Sequence, residues 1–307
     1  ETGVSGVICA PGNPGMAEQA RLVHVDAADP DAVLALADRE AIDLTVIGPE
    51  LPLTRGVADL FAAEGRRLLG PTRLAAELES SKAFAKQFMA RHHVPTAASV
   101  VCDTLDAALA VIESGRFGYP VVIKADGLAA GKGVVIAGDR ARARLSVQAM
   151  MVDRRFGDAG SRVVVEEHMQ GTEVSVFALT DGRTAVLLPT AQDHKRALDS
   201  DQGPNTGGMG AFAPSPFVDP ALAREIVDTI VLPTLEGMRA EGREFRGFLY
   251  AGLMLTPSGP KVVEFNVRLG DPEAQVVLPM LDGDLAPLLR DAADGSLGRA
   301  DCRLRTQ

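Results

Sequence analysis

Lys124 and Lys132 bracket a glycine-rich stretch in Pro120-Val-Val-Ile-Lys-Ala-Asp-Gly-Leu-Ala-Ala-Gly-Lys-Gly-Val-Val-Ile-Ala137. β-Branched runs on both sides predict a hairpin whose tip, through Gly131 and Gly133, turns backbone N–H groups toward phosphate while Lys132 adds a point charge. The spacing from Gly127 to Gly131 is one residue short of a P-loop, and Gly133 stands where that loop needs Ser or Thr, so a P-loop is excluded. Lys124 falls within an apolar strand, where an ammonium without an anion is costly. Either lysine alone reads more simply as a solvated hairpin residue; the combination favours phosphate binding.

A second cluster is Val262-Val-Glu-Phe-Asn-Val-Arg-Leu-Gly-Asp-Pro-Glu273. Strand alternation puts Glu264, Asn266 and Arg268 on one face and Val263, Phe265 and Val267 on the other. A carboxylate and an amide oxygen two residues apart suit Mg²⁺, and Arg268 offers a planar fork for an anion. The competing reading is the wet face of an amphipathic strand. In Val163-Val-Val-Glu-Glu-His-Met-Gln-Gly-Thr-Glu173, a strand ending in acceptors could read an adenine edge through the backbone of Glu166, Glu167 and Met169, with Glu173 on ribose hydroxyls; a solvated strand terminus explains it equally well. The long segment from Gln192 to Phe217 holds Asp193-His194-Lys195-Arg196 and Gly203-Pro-Asn205-Thr-Gly207-Gly208-Met-Gly210. Irregular segments of this length are functional or disordered, so it is either a substrate clamp or a flexible surface loop, with His194 as a positioning residue rather than a base.

The surrounding elements are those of a mixed chain. A strand at Val7–Ala10, a helix over Asp31–Glu40 and strands at Leu44–Ile47 and Arg67–Leu69 alternate, with loops directly after strands, where α/β sheets bind ligands. Helices carrying Leu74 and Leu78, then Phe84 and Phe88 behind an N-cap at Ser81, form a linker ended by Pro95. Residues 99–165 read as a small α+β unit, and long strands follow, with a helix near Ala221–Arg239. At 307 residues and 46% hydrophobic, the chain can fill two or three cores. A net charge of −10 without a basic stripe argues against nucleic acid. Cys9, Cys102 and Cys302 show neither disulfide nor zinc spacing, which suits a reducing cytoplasm, and no apolar run is long enough for a bilayer.

Gly48-Pro-Glu-Leu-Pro-Leu53, Leu78-Glu-Ser-Ser-Lys-Ala-Phe-Ala-Lys86, the lysine hairpin, Gln192-Asp-His-Lys-Arg196, Gly203-Pro-Asn-Thr-Gly-Gly-Met-Gly-Ala211 and Glu264-Phe-Asn-Val-Arg-Leu-Gly-Asp-Pro-Glu273 together resemble the ATP-grasp superfamily. Within it they resemble the phosphoribosylamine:glycine ligase family. The resemblance implies an α/β and α+β fold: an N-terminal Rossmann-like (pre-ATP-grasp) domain over 1–72 and a helical linker over 73–98, then a two-lobed ATP-grasp fold with its lid over 99–165 and large lobe over 166–307. It implies ATP with Mg²⁺, Mn²⁺ being an alternative, and glycine and phosphoribosylamine as partners of a monomer that takes neither nucleic acid nor membrane. Lys82, Lys124 and Lys132 would meet phosphates, and Glu264 and Asn266 the metal. Asn13, Glu50, Asp193, His194, Lys195, Asn205, Gly207, Gly208, Arg268, Gly270 and Asp271 would line the substrate sites, and Lys132, Asp193, Lys195 and Arg268 would be catalytic. Leu269 stands where the family has Phe. The family's G-x-G-G-R-E loop and its C-terminal domain are not in the sequence, so a fragment is expected. Two alternatives are a bicarbonate-using ATP-grasp enzyme and a non-catalytic nucleotide-binding module; no G-x-G-x-x-G supports a dehydrogenase.

Overall fold

The computed structural model describes residues 3–129, 132–199, 202–299 and 303–304. Its opening strands are short: β1 (Ile8–Cys9) pairs in parallel with β2 (Arg21–Leu22). After α1 (Pro30–Arg39), β3 (Thr45–Val46) is followed by α2 (Glu50–Thr54) and α3 (Val57–Ala63) before it pairs in parallel with β4 (Leu68–Leu69). The Rossmann-like sheet expected here is therefore two separate pairs among the described residues. Parallel strands extend when both faces are covered, and Val46 is 43% exposed. α1 starts where Asp29 Oδ1 accepts from Asp31 N–H, with Pro30 in the first turn needing no donor.

Two helices lead onward, α4 (Arg73–Ser80) capped by Thr72 and α5 (Lys82–Arg91) capped by Ser81, whose Oγ accepts from Phe84 N–H at 3.0 Å. Leu78 and Phe88 are buried, whereas Leu74, expected beside Leu78, is exposed. β5 (Ser99–Cys102), α6 (Leu105–Ser114), β6 (Val121–Ala125), β7 (Val134–Ala137), α7 (Arg140–Met151) and β8 (Val163–Glu167) then form an antiparallel sheet in the order β5-β8-β6-β7. Its core joins Ile123, Val163 and Val165 to Ile112, Val147 and Met150 of the helices. Every residue of β6, Lys124 included, is buried.

The larger sheet is also antiparallel, with β9 (Thr172–Thr180), β10 (Ala185–Leu187), β13 (Gly247–Thr256) and β14 (Gly259–Asn266) in the order β10-β9-β13-β14. Alternation divides β9 between two cores. Val174, Val176 and Ala178 join Ile226, Leu235 and Met238, while Phe177 and Leu179 join Val277, Leu288 and Ala292. These partners lie on α8 (Pro220–Ile226), α9 (Leu232–Ala240), α10 (Ala274–Val277) and α11 (Leu285–Asp294). The helix expected over 221–239 is interrupted by a π turn over Val227–Val231. Pro233 lacks the N–H of a regular helix and its ring collides with a preceding carbonyl, and the wider turn relieves both.

Two further expectations need correction. The segment after Gln192, read as irregular, is a β-hairpin of β11 (Gln192–Leu198) and β12 (Gln202–Phe212), with register shifts around Arg196. Its glycines carry no side chains to show alternation, so periodicity could not reveal it. In β14, Glu264 pairs with Gly252 and Val262 with Leu253, which leaves Val263 as an extra residue. This bulge removes Val263 from the core face, where Val262 takes its place beside Phe265 and Val267. No helix among the described residues is long and apolar enough to cross a membrane.

Candidate active site

Strand β6 projects Lys124 toward two acceptors: its Nζ lies 2.6 Å from Glu166 Oε1 and donates to the Val263 carbonyl at 2.9 Å. The anion that an apolar-strand lysine requires is therefore Glu166, whose side chain had no part in the adenine reading. The other carboxylate oxygen lies 2.5 Å from Lys86 Nζ, and Lys86 also donates to Thr96 Oγ1 at 2.8 Å. Burial works against the Glu166 charge, but Lys124 and Lys86 outweigh it and hold the carboxyl below its ordinary range. Burial lowers Lys86 despite Glu166. It also lowers Lys82, whose Nζ donates to Gly127 O at 3.3 Å with Glu264 and Asp126 opposing the shift.

The hairpin tip is partly visible. Lys132 is exposed, its ammonium forming no ion pair among the described residues, and Gly131 lies outside them. A Cβ on Gly133 would meet Ala129 Cβ at 2.7 Å, so the loop closes tightly behind Lys132. At the end of β8, Glu167 N–H donates to Ala98 O and its carboxylate accepts from Ala98 N–H. Glu166 pairs with both neighbouring strands. The backbone N–H of Glu167 is therefore already committed to Ala98, just before β5, and the chain leaves the strand at His168 and Met169.

On the lobe side, the half-buried Glu264 has no hydrogen bond or ion pair among the described residues, though charges at Lys82 and Lys195 act on it. Among the described residues, Asn266 Oδ1 accepts only a long 3.4 Å bond from Arg268. No three Asp, Glu, His or Cys side chains gather as a cage among the described residues. Mg²⁺ needs only one or two protein oxygens when waters and phosphates complete its shell, so an unpartnered carboxylate beside an amide oxygen fits it. Arg268 joins three parts of the chain: Nε to Glu50 at 2.9 Å, Nη2 to Glu79 at 3.2 Å, and Nη1 to Leu269 O at 3.0 Å. Glu79 also accepts from Val267 N–H at 2.7 Å. Its burial raises the carboxyl to about 7 despite Arg268. Burial opposes the Arg268 charge, but Glu79 and Glu50 raise its pKa overall.

The β11–β12 hairpin supplies Lys195, 3.6 Å from Asp193 and 3.7 Å from Glu173. Burial disfavours this ammonium, yet Glu264, Asp193, Glu173 and Glu273 together hold its pKa above the ordinary value. Asp193 is raised by burial, with Lys195 opposing. Beside them Tyr250 donates to Glu273 at 2.9 Å and shares a 2.9 Å bond with Ser175. A cavity of about 10 Å³, room for a single water, is lined by Ser175, Asp193, Lys195, Tyr250, Val263 and Glu264, among others. Gly208 has φ +123°, and a Cβ there would lie 2.7 Å from Pro272 Cδ, so glycine lets the hairpin press on the loop after β14. In that loop, a Cβ on Gly270 would strike Glu273, and Asp271 accepts from Gln275 at 2.9 Å.

The remaining sequence-predicted residues are more scattered. Asn205 and Gly207 lie on β12, Asn205 in register with Arg196, while His194 is exposed with its ring 5.8 Å from that of Phe212. Asn13 accepts from Gly15 N–H on an exposed turn, and none of its described contacts reaches the cleft. Sequence reasoning missed Glu79, Lys86, Ser175, Tyr250 and Glu273. A signal existed for two of them: Glu79 follows Ala75 and Ala76 by one helical turn, and Lys86 lies between Ala83 and Met89, all buried neighbours.

Residues 1–79 match the model "Phosphoribosylglycinamide synthetase, N domain", and residues 80–274 match "Phosphoribosylglycinamide synthetase, ATP-grasp (A) domain". A phosphoribosylamine–glycine ligase of Xanthomonas axonopodis pv. citri is 53% identical over 97% of this chain and 69% of its own length. One from Caulobacter vibrioides is 53% identical over 96% and 68%. The crystal structure of the Thermotoga maritima phosphoribosylamine–glycine ligase superposes with a TM-score of 0.81 at 32% identity, covering 94% of this chain and 70% of that one. A biotin carboxylase from Campylobacter jejuni shares the fold, with a TM-score of 0.70 at 17% identity over 94% and 65% of the two chains.

Proposed function

The chain belongs to the phosphoribosylglycinamide synthetase family, and from that premise we infer that it catalyses the ATP-dependent ligation of glycine to phosphoribosylamine in purine biosynthesis. The products are glycinamide ribonucleotide, ADP and phosphate. ATP with a divalent cation is the family requirement, and Mn²⁺ would suit the same oxygen donors as Mg²⁺. The observation that carries the assignment of residues is the 2.9 Å bond from Lys124 to the Val263 carbonyl, which sets a phosphate-seeking lysine one residue from Glu264.

In this reading Lys82, Lys124, Lys132 and the amides of Gly131 and Gly133 hold the triphosphate, with the base beside His168 and Met169 and the ribose near Glu173. Glu264 and Asn266 hold the metal, which when bound neutralises phosphate charge. The glycine carboxylate attacks the γ-phosphate to give glycyl phosphate and ADP. The amine of phosphoribosylamine then attacks the acyl carbon and expels phosphate, so no covalent enzyme intermediate is needed. Arg268, Lys195 and Asp193 orient the reactants, assisted by Glu50, Asp271 and the β12 backbone, and Lys132 balances charge developing on the transferred phosphoryl group. Arg268 can orient because Glu50 and Glu79 already fix its fork. A cytoplasmic monomer is the simplest setting, favoured by small polar substrates and a net charge of −10.

The test is ADP release with each substrate omitted in turn. Release that requires both glycine and phosphoribosylamine is expected; release supported by bicarbonate in place of glycine, or nucleotide binding without turnover, would sink the reading.

A further inference from the structure

Lys86 takes no part in the chemistry above, yet its side chain is almost wholly buried on α5. Its ammonium meets Glu166 Oε2, Thr96 Oγ1 at 2.8 Å and the Ala97 carbonyl at 3.4 Å. The last two acceptors belong to the segment joining α5 to β5, and that segment is tied to β14. Thr96 Oγ1 donates to Val262 O at 2.7 Å, and Val262 N–H donates to Pro95 O at 2.8 Å. Lys86 is thus anchored, independently of any ligand, to the strand that carries Glu264.

We propose that Lys86 is a positioning residue for nucleotide: by holding one oxygen of Glu166 it sets where Lys124 stands and leaves the buried cluster with a positive charge for a phosphate. The inference rests on the reading of Lys124 as a phosphate ligand. Each Glu166 oxygen has its own ammonium, so neither lysine can claim the whole carboxylate. Lys124 commits two of its three protons among the described residues, to Glu166 and to Val263 O, and one remains for an incoming acceptor. Two ammonium groups share one carboxylate, a surplus of one positive charge that burial makes unfavourable until an anion arrives. Without Lys86 the carboxylate could turn both oxygens on Lys124, and the cluster would become neutral. Lys86 therefore acts through Glu166 and Lys124, without touching substrate.

The test is steady-state kinetics with Mg-ATP binding on the intact ligase carrying K86M, K124M or both. K86M is expected to raise the KM and Kd for ATP about tenfold, the size of a coupling between neighbours in one ion network, with the glycine KM unchanged and kcat altered less. The double variant should be no worse than K124M, and K86R should recover part of the affinity. A folded K86M with the parental ATP KM, or losses that simply multiply in the double variant, would overturn the proposal. An unchanged ATP KM in K124M would instead bring down the phosphate role of Lys124, and this inference with it. If K86M does not fold, T96V keeps both charges while loosening the anchor. A two- to threefold rise in ATP KM, about the weakest coupling between contacting neighbours and smaller than for K86M because both charges remain, is then expected, and it should vanish in the K124M background; no rise would overturn the proposal.

Discussion

Two groups of charge meet where Lys124 touches β14, and they are unbalanced in opposite senses. On the smaller sheet, Lys86 and Lys124 share the single carboxylate of Glu166. Where the β11–β12 hairpin meets the larger sheet, Lys195 is surrounded by Glu173, Asp193, Glu264 and Glu273. The first group is short of an anion and the second of a cation, the balance that the proposed metal-bound triphosphate would restore on both sides. The groups also differ in solvent access. Lys86, Lys124 and Glu166 are buried between strand and helix, whereas Glu173 is exposed and Glu264 half-buried.

If Lys86, Lys124 and Glu166 together hold surplus positive charge, removing the carboxylate that both lysines contact should be the most damaging change. Glu166→Gln is expected to lower stability by about 3–5 kcal/mol, because two buried ammonium groups lose their counter-ion; a urea midpoint equal to the parent's would break the comparison. On the opposite side, Glu264→Ala should leave that midpoint nearly unchanged and reduce kcat about 10²–10³-fold, the scale of losing one preorganised charge contact. Near-normal ADP release would remove its metal role. A smaller effect should come from Glu79, which extends the acid surplus behind Arg268. Burial raises its carboxyl from 4.5 to about 7, so between those pH values the folded protein keeps a proton that the unfolded chain has released. Stability should therefore fall as pH rises through that window, by at most about 3 kcal/mol from this residue. Glu79→Gln should flatten the slope in denaturation curves recorded from pH 4.5 to 7; an unchanged slope would show that Glu79 is ionised throughout.

Much of this was legible in the chain itself. Ser81 capping α5 and the paired strands flanking the lysine hairpin follow from local chemistry, as does the spacing that sets Glu264 and Asn266 two residues apart. The β11–β12 hairpin was not legible, because glycines hide strand alternation, and neither was the bulge at Val263, which depends on how β14 registers against β13. Leu74 shows the same limit on a helix: its spacing from Leu78 suits a buried face, but it stays exposed where Leu78 is fully buried.

By itself the sequence determined which residue types are present, the period on which each element presents them, and through its motifs the family. Tertiary packing alone decided that the carboxylate opposite Lys124 is Glu166, that Lys86 shares it, and that Arg268 is held by Glu50 and Glu79. The physical reason is that local spacing settles direction along one element. An ion pair depends on the distance between elements far apart in the chain, and burial, which sets how strongly those charges act, exists only once they pack.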